Sequence, residues 1–357
     1  MRLRFGGAAS GSGEDQVMTS DGQSLLHVED LRIQFRVPDG ILPAVDGIDY
    51  RLDRGETLGI VGESGSGKTV SSLALLRLLE TPPAEIKSGR VMFEGRDLLQ
   101  LSENEISDVR GRSIAMIFQE PMTSLNPVMT VGTQIDEALV RHLGLSRREA
   151  RARTIELLNL VGIPSPQRNV DGYPHQLSGG MRQRVMIALA LSCEPKILIA
   201  DEPTTALDVT IQAQILDLIL GLQEKFGTSI LLITHDLAVI AETAHRVAVM
   251  YAGRIVESAP VKTIFSAAQH PYTQGLLRSI PRIERNRVTT LSEIPGSVPN
   301  LIRLPSGCAF APRCPSAIAQ CRAERSMPRV SSSVSAIGRH PAADDMIGRD
   351  RARHRPL

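Results

Sequence analysis

The sequence predicts an α/β fold built on a mainly parallel sheet, with a helical subdomain inserted into it. Three observations carry this expectation. From Leu25 onward, short apolar runs alternate with stretches of helical period. A glycine-rich loop joins the apolar run Leu58-Gly59-Ile60-Val61 to a helical stretch from Val70 to Leu79. Between about 132 and 177, Val131 to Leu143 and Arg147 to Val161 read as two successive helices with no strand between them.

Size and composition agree with a globular chain. Its 357 residues, 42% of them hydrophobic, are enough to bury one large core with an appendage or a second domain. With 40 basic and 39 acidic residues the formal net charge is +1, so no whole-chain electrostatic argument points to nucleic acid or to an anionic membrane surface. A bilayer-crossing helix needs about 18 apolar residues. The longest apolar runs here, such as Ser229 to Thr234, are strand-sized. Met1 to Gly22 carries Arg2 and Arg4 but lacks an apolar h-region and includes Glu14 and Asp15, so it does not read as a signal peptide. Four cysteines with no even framework fit a reducing compartment, and the cytoplasm is the expectation.

Taken in order, residues 1–23 are rich in Gly, Ser and Ala without periodicity and are expected to form a disordered lead, with Met18 as an alternative start. The core is expected over 24–268. Its strands fall at about 28–36, 57–61, 113–118, 196–200 and 229–233, and its helices after Lys68, Ser178 and Thr210. The helical subdomain occupies about 120–178. Beyond about 268 the composition shifts to Pro, Arg and Ser, which marks a C-terminal extension over 269–335 and a flexible tail over 336–357.

Three short motifs carry chemistry. Gly62-Glu63-Ser64-Gly65-Ser66-Gly67-Lys68-Thr69 lies between a strand and a helix, the context a P-loop requires. Its glycines let backbone N–H groups face phosphate oxygens, and the helix N-terminus adds its dipole to the same anion site. Lys68 is placed to reach β and γ phosphates, and Thr69 to offer its hydroxyl to Mg²⁺. The apolar strand before Asp201-Glu202 ends in two acids, which puts Asp201 beside the metal and leaves Glu202 to polarise an attacking water. At Ser178-Gly179-Gly180 a serine and two glycines open a second helix, a second phosphate-facing helix end in one chain.

With Gln119, Ala206-Leu207-Asp208 and His235 in order around these motifs, the chain resembles the nucleotide-binding subunits of ABC transporters, over about residues 25–335. The resemblance implies a P-loop NTPase core of the ABC ATPase type that binds ATP and Mg²⁺. It also implies a head-to-tail dimer in which Ser178, Gly179 and Gly180 of one chain close over ATP held by the other. Gln119 then senses Mg²⁺ and the attacking water, Asp208 couples the two sites, and His235 contacts the γ-phosphate. Taken by itself His235 reads first as a cap on the strand Ile230 to Thr234; its neighbour Asp236 and its place after the strand that follows Glu202 favour the γ-phosphate contact. Phe35, 33 residues before Lys68, matches an adenine-stacking position but also reads as a core aromatic.

Within that family the chain is most similar to the ATPase subunits of dipeptide and oligopeptide importers. The similarity rests on Gln119-Glu120-Pro121-Met122-Thr123-Ser124-Leu125-Asn126-Pro127, on Ser178 to Ala188 with Met181 in the signature, and on His270-Pro271-Tyr272-Thr273-Gln274-Gly275-Leu276-Leu277. It implies two membrane-spanning permease subunits, a second ATPase subunit, an extracytoplasmic substrate-binding protein, no nucleic acid, and a peripheral location on the cytoplasmic face of the inner membrane. Nickel or another small solute is the alternative cargo, and a non-transport ABC ATPase the alternative class. Cys308, Cys314 and Cys321 look like the cysteine motif that holds a 4Fe-4S iron–sulfur cluster in some members. The fourth ligand position falls at Arg339, with His340 beside it. An iron–sulfur cluster, a three-cysteine zinc site with a histidine, and packing cysteines without metal are the readings left open.

Overall fold

The computed structural model describes residues 24–119, 124–205, 208–280, 293–323 and 330–331. The expected disordered lead, Met18, Ala206, Leu207, Arg339, His340 and the tail lie outside these residues.

A first hairpin opens the fold. β1 (Ser24–Val37) pairs antiparallel with β2 (Gly40–Asp53) across Pro38-Asp39-Gly40, where Gly40 has φ +130. That Pro-Asp-Gly turn between two alternating runs was a legible hairpin signal. β3 (Thr57–Val61) follows, buried at all five positions, and the glycine loop leads from it into α1 (Lys68–Leu75). α1 stops four residues short of the expected Leu79. Arg77 takes φ +52, and the Arg110 guanidinium donates to the orphan carbonyls of Leu76 and Arg77 at 2.8 and 3.1 Å. The prolines at 82 and 83 then bar further helix.

β4 (Ala84–Phe93) and β5 (Arg96–Asp97) complete a four-stranded antiparallel sheet in the order β2-β1-β4-β5. α2 (Glu103–Val109), opened by a Ser102–Glu105 capping box, leads to β6 (Ile114–Ile117). The helical subdomain comes next. α3 (Val131–Leu143) is capped by Thr130 and closed by Gly144 in the left-handed region, and α4 (Arg147–Leu160) opens with a Ser146–Glu149 capping box. After the short α5 (Pro166–Asn169), α6 (Gly179–Leu191) packs on both α3 and α4. The two long helices match their expected bounds within a residue because caps and apolar period are both local signals.

The remaining elements are β7 (Ile197–Asp201), α7 (Val209–Phe226), β8 (Ser229–Thr234), α8 (Leu237–Thr243), β9 (Arg246–Tyr251), β10 (Arg254–Pro260), α9 (Val261–Ala267), α10 (Pro271–Arg278), α11 (Ala319–Ala323) and β11 (Val330–Ser331). The second sheet has seven strands in the order β11-β10-β9-β3-β8-β7-β6. It is parallel from β9 to β6, and β10 runs antiparallel to β9. Both faces are covered. Along β8, Ile230 and Leu232 join one apolar cluster with the helices, while Leu231 and Ile233 join another with the antiparallel sheet. Gly59 on β3 is small because α8 lies against it: a Cβ there would come 2.4 Å from Ile240 Cδ1.

The described part of the C-terminal extension shares the first apolar cluster. Phe310, 2% exposed, packs edge-on against Tyr251 of β9 with ring centroids 5.2 Å apart, and against Tyr272 of α10 at 5.4 Å. The Glu257 carboxylate on β10 accepts the backbone N–H groups of Gln269 and His270 at 2.8 and 3.0 Å, which fixes the start of α10. Phe310→Ala is therefore expected to cost about 3–5 kcal/mol. It should shift the main thermal unfolding transition of the whole chain downward, a shift checked by calorimetry.

Candidate functional site

The sheet brings the chemistry to one edge. In-register pairs at the carboxyl end of the parallel strands are Val61 with Thr234, Ile233 with Asp201, and Ala200 with Ile117. The segments that follow these strands therefore emerge side by side, and they carry the glycine loop, Asp201-Glu202, His235 and Gln119. Ligands of open α/β sheets bind at such an edge.

The loop's glycines have steric reasons. A Cβ on Gly62 would lie 2.1 Å from the Met250 carbonyl oxygen. One on Gly67, which has φ +102, would lie 2.4 Å from the Ala44 carbonyl. Strands β9 and β2 thus close on the loop from behind. Gly65 also has positive φ, with open space where a side chain would be, and Ser64 beside it is exposed. Lys68 is buried, and its ammonium donates to the carbonyls of Gly62 and Glu63 at 2.7 and 3.1 Å. Burial pushes its pKa below the usual lysine value against the pull of Glu202, Asp201 and Glu63. Ser66 Oγ is buried without a hydrogen-bond partner. An orphaned hydroxyl inside a glycine cradle at a helix N-terminus is the donor set of an anion site, so these residues fit a phosphate chain.

Thr69 Oγ1 donates to Asp201 Oδ1 at 3.2 Å, which brings a hydroxyl and a carboxylate together across two elements. These hard oxygens suit Mg²⁺. Asp201 is 1% exposed, and burial raises its pKa to about 6.

Glu202 takes φ +46, and its backbone N–H donates to the Ile233 carbonyl at 2.8 Å, so the chain bends sharply off the strand end. Its carboxylate is held from three sides. Oε2 accepts from Gln119 Nε2 at 3.0 Å and from Thr205 Oγ1 at 2.9 Å, and Oε1 lies 3.1 Å from His235 Nδ1. Burial pushes the Glu202 pKa up, but the hydrogen bonds from His235 and Thr205 outweigh it and leave the carboxyl below its ordinary value. The group is thus ionised at neutral pH. Thr205 was missed by sequence reasoning; a threonine three residues beyond the acid was the only available signal.

Ser178 caps α6 by accepting the Met181 N–H at 3.3 Å, and Ser178 and Gly179 are exposed at that helix end. The signature is tied to the acidic strand end through Gln183, whose buried amide donates to the Pro203 carbonyl at 2.6 Å. Asp208 sits at the N-cap position of α7, exposed, and its side chain makes no capping hydrogen bond. Phe35 is half-buried on β1 against the second apolar cluster, paired with Leu42 and Ala84. Glu120, Pro121, Met122 and Thr123 lie outside the described residues.

Among the described residues no three His, Cys, Asp or Glu side chains are disposed to hold a metal ion, Cys308, Cys314 and Cys321 included. The three thiols are free, and burial pushes that of Cys308 up. The backbone here is close-packed: Cys308 N–H donates to the Cys321 carbonyl at 2.7 Å, and a Cβ on Gly307 would lie 2.2 Å from that same oxygen. Cys193 is buried in α6's wake as a small core residue. No described helix is long and apolar enough to cross a membrane.

Known proteins share these features. The ABC transporter family matches residues 45–205, and the oligopeptide/dipeptide transporter C-terminal region matches residues 256–321. The oligopeptide transport ATP-binding protein OppD of Bacillus subtilis is 57% identical over 289 residues, covering 81% of each chain. The dipeptide transport ATP-binding protein DppD of Escherichia coli is 53% identical over 301 residues, covering 84% of this chain and 91% of that one. A solved dimer of an ATP-binding cassette in a post-hydrolysis state, bound to ADP and phosphate, aligns with a TM-score of 0.60 at 27% identity, over 66% of this chain and 98% of that one. The phosphate loop, the acidic strand end and the Ser178 helix start thus sit in a chain that belongs to the ABC transporter ATPase family, in its oligopeptide and dipeptide transporter branch.

Proposed function

We propose that this chain binds and hydrolyses ATP to energise the import of peptides through an ABC transporter complex. The observation that carries the catalytic part is the Glu202 carboxylate, ionised and held by Gln119, Thr205 and His235 beside the phosphate loop. Kinship with peptide-transport ATP-binding proteins supports the cargo.

In this reading the backbone of Gly62 to Thr69 and the Lys68 ammonium hold the β and γ phosphates, and Phe35 stacks on adenine. Thr69 and Asp201 would hold Mg²⁺, with Gln119 sensing it, and the ion would supply charge neutralisation at the transferred phosphoryl group. Glu202 accepts a proton from the attacking water, and His235 both orients the carboxylate and contacts the γ-phosphate. The exposed α6 N-terminus at Ser178, Gly179 and Gly180 supplies the anion site that completes the cage on a second ATPase subunit, homologous or identical, with Asp208 coupling the two sites. One chain alone hydrolyses poorly for that reason. No step runs through an iron–sulfur cluster.

Closure and reopening of the dimer are transmitted to two permease subunits docked near Gln119 and the helical subdomain. Phe118 and Val128 are exposed there at 40% and 79%, apolar surface suited to such a contact. An extracytoplasmic binding protein delivers the cargo, and the chain sits peripherally on the cytoplasmic face of the inner membrane, with 24–268 as the motor and 269–335 as the branch-specific extension.

Two experiments test this. Glu202→Gln should retain ATP binding while lowering turnover in the assembled complex about 10²–10⁴-fold, the range a general base contributes. Near-unaltered turnover would assign the base elsewhere. In vesicles containing the assembled complex, ATP-dependent uptake of dipeptides or longer peptides is expected. Uptake of nickel in their place would reassign the cargo.

A further inference from the structure

The phosphate loop is gripped from the C-terminal extension. Arg313 is 7% exposed, and every one of its five N–H donors is placed. Its two terminal nitrogens donate to Glu63 Oε2 and Oε1 at 2.7 and 3.0 Å, a bidentate fork. The remaining donors reach Tyr251 Oη at 3.4 Å and the Pro295 and Ile294 carbonyls at 3.0 and 3.4 Å. Glu63 is held at its backbone too, where its N–H donates to Tyr272 Oη at 2.9 Å. Its carbonyl in turn accepts from Lys68 and, at 3.2 Å, from the Ser66 N–H.

Glu63 is thus an acid inside an anion site, the second residue of a loop that faces phosphate. Left unpaired, its charge opposes a polyphosphate; paired with a guanidinium fixed by three other acceptors, it becomes an anchor for the loop. We propose that Arg313 is a positioning residue of the ATP site, holding Glu63 and, through it, the loop conformation that presents Lys68. The inference rests on the ATPase reading above. It makes the extension part of the nucleotide site and not only a neighbour of it.

The test measures binding of a trinitrophenyl ATP analogue and steady-state MgATP hydrolysis in the assembled complex. Arg313→Met should raise Kd and KM about tenfold, as expected for stranding one member of a partly buried charge pair, with a smaller change in kcat at saturating MgATP. Adding Glu63→Gln to that variant should bring Kd and KM back toward the unaltered values, because the stranded carboxylate is gone. Arg313→Lys should fall between, since lysine keeps the charge but not the fork. A merely structural role would lower the active fraction and kcat, with no rescue by the second substitution. Unaltered Kd and KM in Arg313→Met, or no rescue, overturns the proposal. Should the methionine variant fail to assemble, Arg313→Lys with and without Glu63→Gln makes the same comparison. No nucleotide binding by the unaltered complex would overturn the ATPase reading instead.

Discussion

The parallel pairing of β3, β8, β7 and β6 is the constraint on which the rest of the site depends. Each strand is joined to its neighbour in a register that brings their carboxyl ends level, from Val61 through Thr234 and Asp201 to Ile117. A slip of one residue on β7 or β8 would exchange the two faces of that strand, mispacking both apolar clusters and moving Asp201 or Thr234 off the shared edge. Because the sheet is buried on both sides, the register is specified twice over. The loop, the acids, His235 and Gln119 inherit their proximity from it.

Burial then sets the electrostatics. Lys68 and Asp201 are both nearly inaccessible, and desolvation lowers the pKa of one and raises that of the other. Burial disfavours the charged form of each, and a bound polyanion and a divalent cation would favour it again. Glu202 is more open and is kept ionised by its hydrogen bonds. Two adjacent acids on one strand end are thereby given different protonation behaviour, which matches a division of labour between metal ligand and base.

The C-terminal extension shows how distant sequence is drawn into the site. Tyr251 ends β9, next to β3, and its ring meets Tyr272 and Phe310 in one buried aromatic group. That group carries the Tyr272 hydroxyl, which accepts the Glu63 N–H, and it packs against the Arg313 guanidinium that holds the Glu63 carboxylate. The same packing seats the Cys308 N–H on the Cys321 carbonyl, and the sequence spacing of the three cysteines does not become a coordination shell among the described residues.

Local features were legible without coordinates: the bounds of α3 and α4, the buried run of β3, and the strand-loop-helix setting of Lys68, because periodicity and glycine loops act over a few neighbouring residues. The antiparallel sheet beyond β1 was not, nor was β9–β10, although Pro38-Asp39-Gly40 was a usable signal. Their strands are specified by pairing partners far along the chain. The sequence by itself determined the family and the α/β class, and it singled out the glycine loop, the acids Asp201 and Glu202 and the Ser178 helix start as candidates. Only the tertiary structure decided that Thr205 joins Gln119 and His235 on Glu202, and that Arg313 closes on Glu63 from 250 residues away. Those contacts arise from sheet order and core packing, and neither leaves a periodic trace in the chain.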